Sequence, residues 1–314
     1  TPAKGFAVER GSFEPTVWYS INPLGEITVN IAEAEMGQHI GTALARIVAE
    51  ELEADWQDVR LNYVDNEARY GYRVTGGSWS IWQNFDLLSR AGAAGRKAMI
   101  EEGAKLLGVS PLKCHARRSK VICRDKQVSY QEIVQKGDLS RRYSEQDLAD
   151  LQIKQPDQRN LIGTDTTALD IPDKTRGTAI YGIDAHYDGM VYAKPMIPPT
   201  RYDSRIASID DRQARNVAGY IQTLQLDDPS ETVPGWVLVI ADSFHAALRA
   251  EKLIKVTWNN GPAANVSEAD ILQRGRELIE AGKGSTVVDD VVDGKHVNEW
   301  MLDAQEVIQA EYTT

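Results

Sequence analysis

Cysteine is nearly missing from this chain: Cys114 and Cys123 are two residues in 314. Two thiolates cannot hold an iron–sulfur cluster of the usual four-cysteine type. With no CxxC pair beside them and only His115 nearby, they do not make a zinc site either, so no metal ligand is assigned. Histidine is scarce as well, five in all. His186 and His245 lack neighbours at metal-ligand spacing and are assigned surface or internally satisfied roles. Positive charge is in deficit, with 35 Lys and Arg against 46 Asp and Glu and a formal charge of -11. No long basic stripe interrupts that deficit, which argues against nucleic acid as a partner. No apolar run reaches membrane-spanning length, and no internal repeat is visible. The chain opens on Thr1, so a leader has been removed or the sequence omits it.

What is present is ordinary for a globular protein: 42% hydrophobic and 26% charged residues. The length suffices for two domains with cores. The two cysteines flank a polar stretch, His115 to Lys120, that reads as a hairpin tip. Facing hairpin positions can meet disulfide geometry, and two unrelated thiols are the alternative. A disulfide would point to an oxidising compartment, here a periplasmic one.

The chain is organised around Thr75-Gly76-Gly77-Ser78-Trp79-Ser80, a glycine turn opening into a long helix. Glycines let backbone approach a bound group. The first N–H groups of a helix have no internal partner, and with the helix dipole they form an anion site. Ser78 and Ser80 add hydroxyls. On the hexapeptide alone, a turn with a serine N-cap is the blander reading. A second stretch of the same kind, Glu35-Met36-Gly37-Gln38, follows a strand-like run and opens another helix. Two such junctions could converge on one ligand. Ile81, Phe85, Leu88, Gly92, Gly95 and Met99 mark one buried face of the long helix, and its glycines imply a close neighbour.

In chain order, Thr16–Ile21 and Glu26–Ile31 form a hairpin over Asn22-Pro23-Leu24-Gly25. A helix runs from Gly37 to about Ala54, and a strand covers Asp58–Val64. Arg69, Tyr70, Tyr72 and Arg73 read as a solvated loop. Ser129-Tyr130 opens a short helix, and residues 136–160 read as a charged, solvated connector. A new unit begins near Thr175, with strands at Ala179–Ile183, Met190–Ala193, Ile206–Ile209, Trp236–Ala241 and Lys252–Trp258. Trp236 and Trp258 are assigned to the core. Ser243 caps the helix Phe244–Ala250, and Ser267 caps a surface helix, Glu268–Ala281. Val307–Tyr312 is strand-like and needs a partner. Strands mixed with short helices give an α+β fold.

The pair Glu35-Met36-Gly37-Gln38 and Thr75-Gly76-Gly77-Ser78-Trp79-Ser80 resembles the molybdopterin-binding motifs of the xanthine oxidase family of molybdenum hydroxylases. The segment order is similar to the branch containing the isoquinoline oxidoreductase β subunit and related aldehyde dehydrogenases. Gly177 to Asp184 and Asp188 to Ala193 resemble that branch's hammerhead-domain opening. The resemblance implies part of the second molybdopterin-binding domain at 1–160, a hammerhead-type α/β domain at 161–265, and a helical arm with a first strand at 266–314. Met36, Gly37, Gln38, Gly77, Ser78, Trp79 and Ser80 would hold a molybdenum–molybdopterin cofactor, its form in bacterial relatives commonly the cytosine dinucleotide.

The implied activity is oxidation of aldehydes or hydroxylation of N-heterocycles with water as the oxygen source. No catalytic residue is assigned here, because the family's glutamate base lies beyond the matching region. The resemblance therefore implies a split large subunit whose second fragment carries that glutamate. It also implies an iron–sulfur subunit with [2Fe-2S] clusters and a cytochrome or other electron acceptor. His39 departs from the family pattern, which has Gly there. A non-catalytic phosphate- or nucleotide-binding module and a structural assembly subunit fit the same glycine turns and stay open.

Overall fold

The computed structural model describes residues 11–140, 143–285, 291–308, 310 and 312. It divides into two compact units, Thr1–Asp188 and Gly189–Thr314.

In the first unit, alternating apolar residues build a four-stranded sheet in the order β1-β2-β3-β4: β1 Phe13–Thr16, β2 Tyr19–Ile21, β3 Ile27–Ile31 and β4 Val59–Tyr63. β2 and β3 form the expected hairpin, with Tyr19 opposite Val29. β3 and β4 run parallel, which requires a crossover, and α1 (Ile40–Leu52) supplies it. Ile27, Val29 and Ile31 turn one face inward and are fully covered.

The long helix α2 (Trp79–Leu107) packs along α1. Its small residues allow this. A Cβ on Gly92 would stand 2.6 Å from the Val48 carbonyl oxygen, and one on Gly95 would collide with the Tyr19 hydroxyl. The close neighbours implied by the two glycines are therefore α1 and β2. The buried face starts later than its spacing suggested. Leu88, Gly92, Gly95 and Met99 are buried, but Ile81 is 39% exposed. The first turns of α2 project from the body.

At the far end of α2, a three-stranded antiparallel sheet is formed by β5 (His115–Arg117), β6 (Lys120–Cys123) and β7 (Lys126–Ser129). Cys114 and Cys123 are disulfide-bonded across its first hairpin. Ser129 and Glu132 form a capping box for α3 (Tyr130–Lys136). Tyr130 donates to the Leu52 carbonyl at 2.6 Å.

Beyond α3 the charged connector is exposed along most of its described length, as expected, but three buried positions anchor it. Tyr143 and Leu148, the latter on α4 (Glu145–Ala149), are buried. Lys154 is 8% exposed, and its Nζ lies 2.7 Å from Glu50 Oε1 and 2.5 Å from Glu53 Oε1. Glu50 also accepts the N–H groups of Asn160, Leu161 and Ile162. Arg46 and Arg90 donate to carbonyls of the same segment. Lys154 and these backbone groups strap the segment to α1 and α2, and it ends in α5 (Ile171–Arg176). The Ala179–Ile183 strand is not formed; Gly182–Asp184 is a 3-10 turn.

The second unit holds β8 (Tyr192–Met196), β9 (Arg205–Asp210), β10 (Tyr220–Gln225), β11 (Val237–Ala241), α6 (Phe244–Glu251) and β12 (Lys255–Asn259). β10-β11-β8 form one antiparallel sheet, and β9 pairs with β12. β11 is buried as its apolar run requires, and Ser243 caps α6. Trp258 is half-buried and donates to the Gly235 carbonyl at 2.8 Å. Ser267 caps α7 (Glu268–Glu280), which buries none of its residues. Two short strands, β13 (Val291–Val292) and β14 (Lys295–His296), precede α8 (Val297–Leu302). Of the expected tail strand, 307, 308, 310 and 312 are not in a strand, and 309 and 311 lie outside the described residues. The units divide at 188, not at 160. Compact units and family domains are different divisions, and the three-domain scheme stays a proposal.

Candidate functional site

α1 and α2 both begin without a side-chain cap. The residues before them, His39 and Ser78, sit in the left-handed region at φ 59° and 61°. Non-glycine residues pay roughly 1–2 kcal/mol there. This explains why glycine suits position 39, and how His39 keeps the turn: its Nδ1 lies 2.8 Å from Asp170 Oδ1. Ser78 is no ordinary N-cap, because its hydroxyl makes no cap bond.

The two helix N-termini differ. At α1 the protein fills its own anion seat. Glu35 Oε1 accepts from the N–H of Gly37 at 2.7 Å and of His39 at 3.2 Å, and its Oε2 from Ile40 at 3.0 Å. The Met36 N–H donates to Gln38 Oε1 at 2.6 Å. At α2, Trp79 N–H bonds back to the Gly76 carbonyl at 3.1 Å. Among the described residues, the N–H groups of Gly77, Ser78 and Ser80 meet no protein acceptor. One junction is satisfied internally, and the other presents free donors.

Thr75 joins the two. Its hydroxyl accepts from Ala34 N–H at 2.8 Å and donates to Glu33 Oε2 at 3.0 Å. Glu33 is 3% exposed, and its other oxygen accepts from Asn84 Nδ2 at 3.0 Å. Arg73 donates to Asn84 Oδ1 at 2.9 Å and lies over the Trp18 ring. The loop expected to be solvated is thus anchored, with Tyr70 buried and Tyr72 exposed. The loops carrying the sequence-derived site residues are joined here, Met36, Gly37 and Gln38 on one and Gly77, Ser78, Trp79 and Ser80 on the other. Met36, Trp79 and Trp82 expose apolar surface around them.

A cation sits behind the loops. Lys174 Nζ bridges Glu35 Oε1, at 2.8 Å, and Asp170. Burial opposes the charge on Glu35, but bonds from Lys174, Gly37 and His39 outweigh it and hold the carboxyl below its usual range. Asp170 is likewise lowered despite burial, by Lys174 and His39. Lys174 is raised: burial works against its charge, and its two carboxylates win. Glu35, Tyr63, Asp170, Lys174 and Tyr181 line a cavity of about 420 Å³. Burial, then the Glu35 carboxylate, pushes the Tyr63 hydroxyl up. Glu35, His39 and Asp170 lie close enough to share a metal ion, but the Lys174 ammonium is the cation that satisfies the two carboxylates.

Sequence reasoning did not find Glu33, Tyr63, Asn84, Asp170 or Lys174. The contact of His39 with Asp170 spans 131 residues, and no local pattern announces it. Glu33, two residues past β3 and in phase with its buried face, was the one local sign.

Comparison with known proteins gives consistent findings. A molybdopterin cofactor-binding domain family matches residues 3–179. Over 306 residues, 96% of this chain and 39% of the relative, the chain is 52% identical to a membrane-bound aldehyde dehydrogenase [pyrroloquinoline-quinone] of Gluconacetobacter polyoxogenes. It is 27% identical to the beta subunit of an isoquinoline 1-oxidoreductase of Brevundimonas diminuta, over 79% of this chain and 36% of that one. It is 24% identical to a nicotinate dehydrogenase subunit of Pseudomonas putida, over 82% and 21%. The chain thus spans about two fifths or less of the curated relatives it matches.

Proposed function

The chain belongs to the molybdopterin cofactor-binding domain family, within the xanthine oxidase family of molybdenum hydroxylases, and from that premise we propose that it holds part of a molybdenum–molybdopterin cofactor at the N-terminus of α2. The carrying observation is the set of unpartnered N–H groups at Gly77, Ser78 and Ser80, at the start of a 29-residue helix. Those donors, with the Ser78 hydroxyl, suit the anionic phosphate of such a cofactor. Trp79 and Met36 would cover an apolar face of it. The Met36–Gln38 loop would contribute shape and contact more than N–H donors, since Glu35 and Gln38 already engage them. When bound, the cofactor supplies hydroxylation chemistry with water as oxygen source. This chain binds and orients it; Glu33 and Glu35 are fully hydrogen-bonded and are not poised as bases.

The substrate class proposed is aldehydes, supported by the name of the 52% relative, or N-heterocycles, supported by the names of the other two. Two relatives are named as subunits. We therefore extend the proposal to partner subunits, among them an iron–sulfur subunit and a cytochrome or other acceptor. The cytosine dinucleotide form and a periplasmic location belong to the same proposal, the latter supported by the Cys114–Cys123 disulfide.

A second reading rests on one observation: the name of the 52% relative carries pyrroloquinoline quinone. The family match and the anion-binding turn favour molybdopterin. Measuring molybdenum, pterin and quinone in the purified holoenzyme separates the two. Molybdenum and pterin in equal amounts are expected; quinone without molybdenum would overturn the proposal.

A further inference from the structure

The chain is acidic overall, at -11, yet one small element is strongly basic. The β5-β6-β7 sheet and its flanks carry Lys113, Arg117, Arg118, Lys120, Arg124 and Lys126, all exposed, against one acid in the run, Asp125. Arg118 is paired with Asp55 at 2.9 Å. Among the described residues, Lys113, Arg117, Lys120 and Arg124 have no carboxylate partner. Arg117 stands directly opposite Lys120 in the ladder, and like charges so placed repel. Both tight turns also put a cation at a left-handed position, Arg118 at φ 48° and Arg124 at φ 57°, where Asn, Asp or Gly would be the relaxed choice.

The strands are only three or four residues long, so the cations lie within about 10–15 Å of one another. Each can therefore meet the same charged surface within the screening length of about 8 Å at physiological salt. Next to them Leu112 is 97% exposed. The Cys114–Cys123 bond ties the segment bearing Leu112 and Lys113 to the turn bearing Arg124. Lys126 Nζ donates to the Leu107 carbonyl, at the last turn of α2. The patch therefore lies at the opposite end of α2 from the Gly77–Ser80 turn, about 40 Å away along the helix.

We propose that this sheet docks the protein on an anionic lipid surface, its cations facing lipid phosphates and Leu112 entering the apolar margin. Charge complementarity selects an anionic partner. The groove beside β5 is lined on its other side by Glu50, Glu53 and Asp55 and does not suit an acidic peptide, and a fully projecting leucine is suited by a deformable apolar medium more than by a fixed pocket. The inference is independent of which cofactor the α2 turn holds.

The test is flotation of the holoenzyme with phosphatidylcholine vesicles, with and without phosphatidylglycerol. Binding is expected only with phosphatidylglycerol and falls as salt rises. Removing two cations in Arg117→Gln/Lys120→Gln should lower the partition coefficient about thirty-fold. Leu112→Ser should lower it several-fold without changing the salt dependence. The same charge change elsewhere, Lys252→Gln/Lys283→Gln, should have no effect. The variant residues are exposed, and an unchanged melting temperature with an intact disulfide shows that the sheet still forms. Equal binding to neutral vesicles, undiminished binding of Arg117→Gln/Lys120→Gln, or crosslinking of the patch to a soluble acidic protein while vesicles stay bare would each overturn the proposal.

Discussion

Lys174→Met should destabilise the first unit and do so in a pH-dependent way. The ammonium bridges Glu35 and Asp170, with side chains 9% exposed for both acids and 18% for the lysine. Removing it leaves two neighbouring carboxylates facing each other across His39. An exposed pair contributes about 0–1 kcal/mol, and breaking a buried one costs about 3–5 kcal/mol. These burials lie between, so a loss of about 2–3 kcal/mol is expected, or roughly 5–10 °C in melting temperature. The sign with pH follows from the lowered carboxyls of Glu35 and Asp170. Their contribution is present above the unfolded values, about 4, and is lost as pH falls through the lower folded values. The raised lysine contributes below its usual range and loses that contribution only in strong alkali. The gap between wild type and variant should therefore be full at neutral pH and close as pH drops below about 4. Urea unfolding at a series of pH values measures this. A gap that is absent, or constant from neutral to acid pH, would refute the linkage.

Further outcomes follow from the packing and the strap. Lys154→Met leaves Glu50 and Glu53 without their cation and should cost about 3–5 kcal/mol, with protease nicking between 143 and 170 appearing before global unfolding. Gly92→Val drives a side chain into the Val48 carbonyl and should prevent α1 and α2 from packing, seen as loss of the cooperative melt. Gly108→Ala, where nothing stands near the added Cβ but φ is +66°, should cost only about 1 kcal/mol. Cys123→Ser opens a short loop and should cost about 2–3 kcal/mol by chemical denaturation; an unchanged midpoint would show that the bond carries no stability.

Much of the fold was legible because its signals are local. The Asn22–Gly25 turn between alternating strands, the serine caps at 129, 243 and 267, and the cysteines at a hairpin mouth each act over a few residues. Gly92 and Gly95 announced a close neighbour, though not which one. Most of the segment's charges do face solvent, and they hid the anchors at Tyr143, Leu148 and Lys154. Lys154 becomes buried only because glutamates at the end of α1 wait for it, and no window of sequence contains both. Ala179–Ile183 has strand-like residues but pairs with no strand among the described residues. Ile81 fits a helical stripe that extends beyond the body it packs on. The glycine turns were visible, but the difference between them was not. Both caps share the same left-handed backbone, but the Glu35 carboxylate folds back onto one junction, and Val74, at the matching position before α2, has no carboxylate to do so. The basic sheet was likewise hidden, because its cations alternate with other residues until two tight turns gather them.

The central claim is that the α2 junction is the anion seat of a molybdopterin cofactor. It is tested most directly by the molybdenum and pterin content of the purified holoenzyme carrying Ser78→Asp. That change puts a carboxylate at the residue preceding α2, where it repels a bound anion and competes for the free N–H groups while the helix is kept. The account predicts a folded protein, melting close to wild type, that has lost most of its molybdenum and pterin together. Full molybdenum and pterin content in a folded Ser78→Asp protein would contradict it.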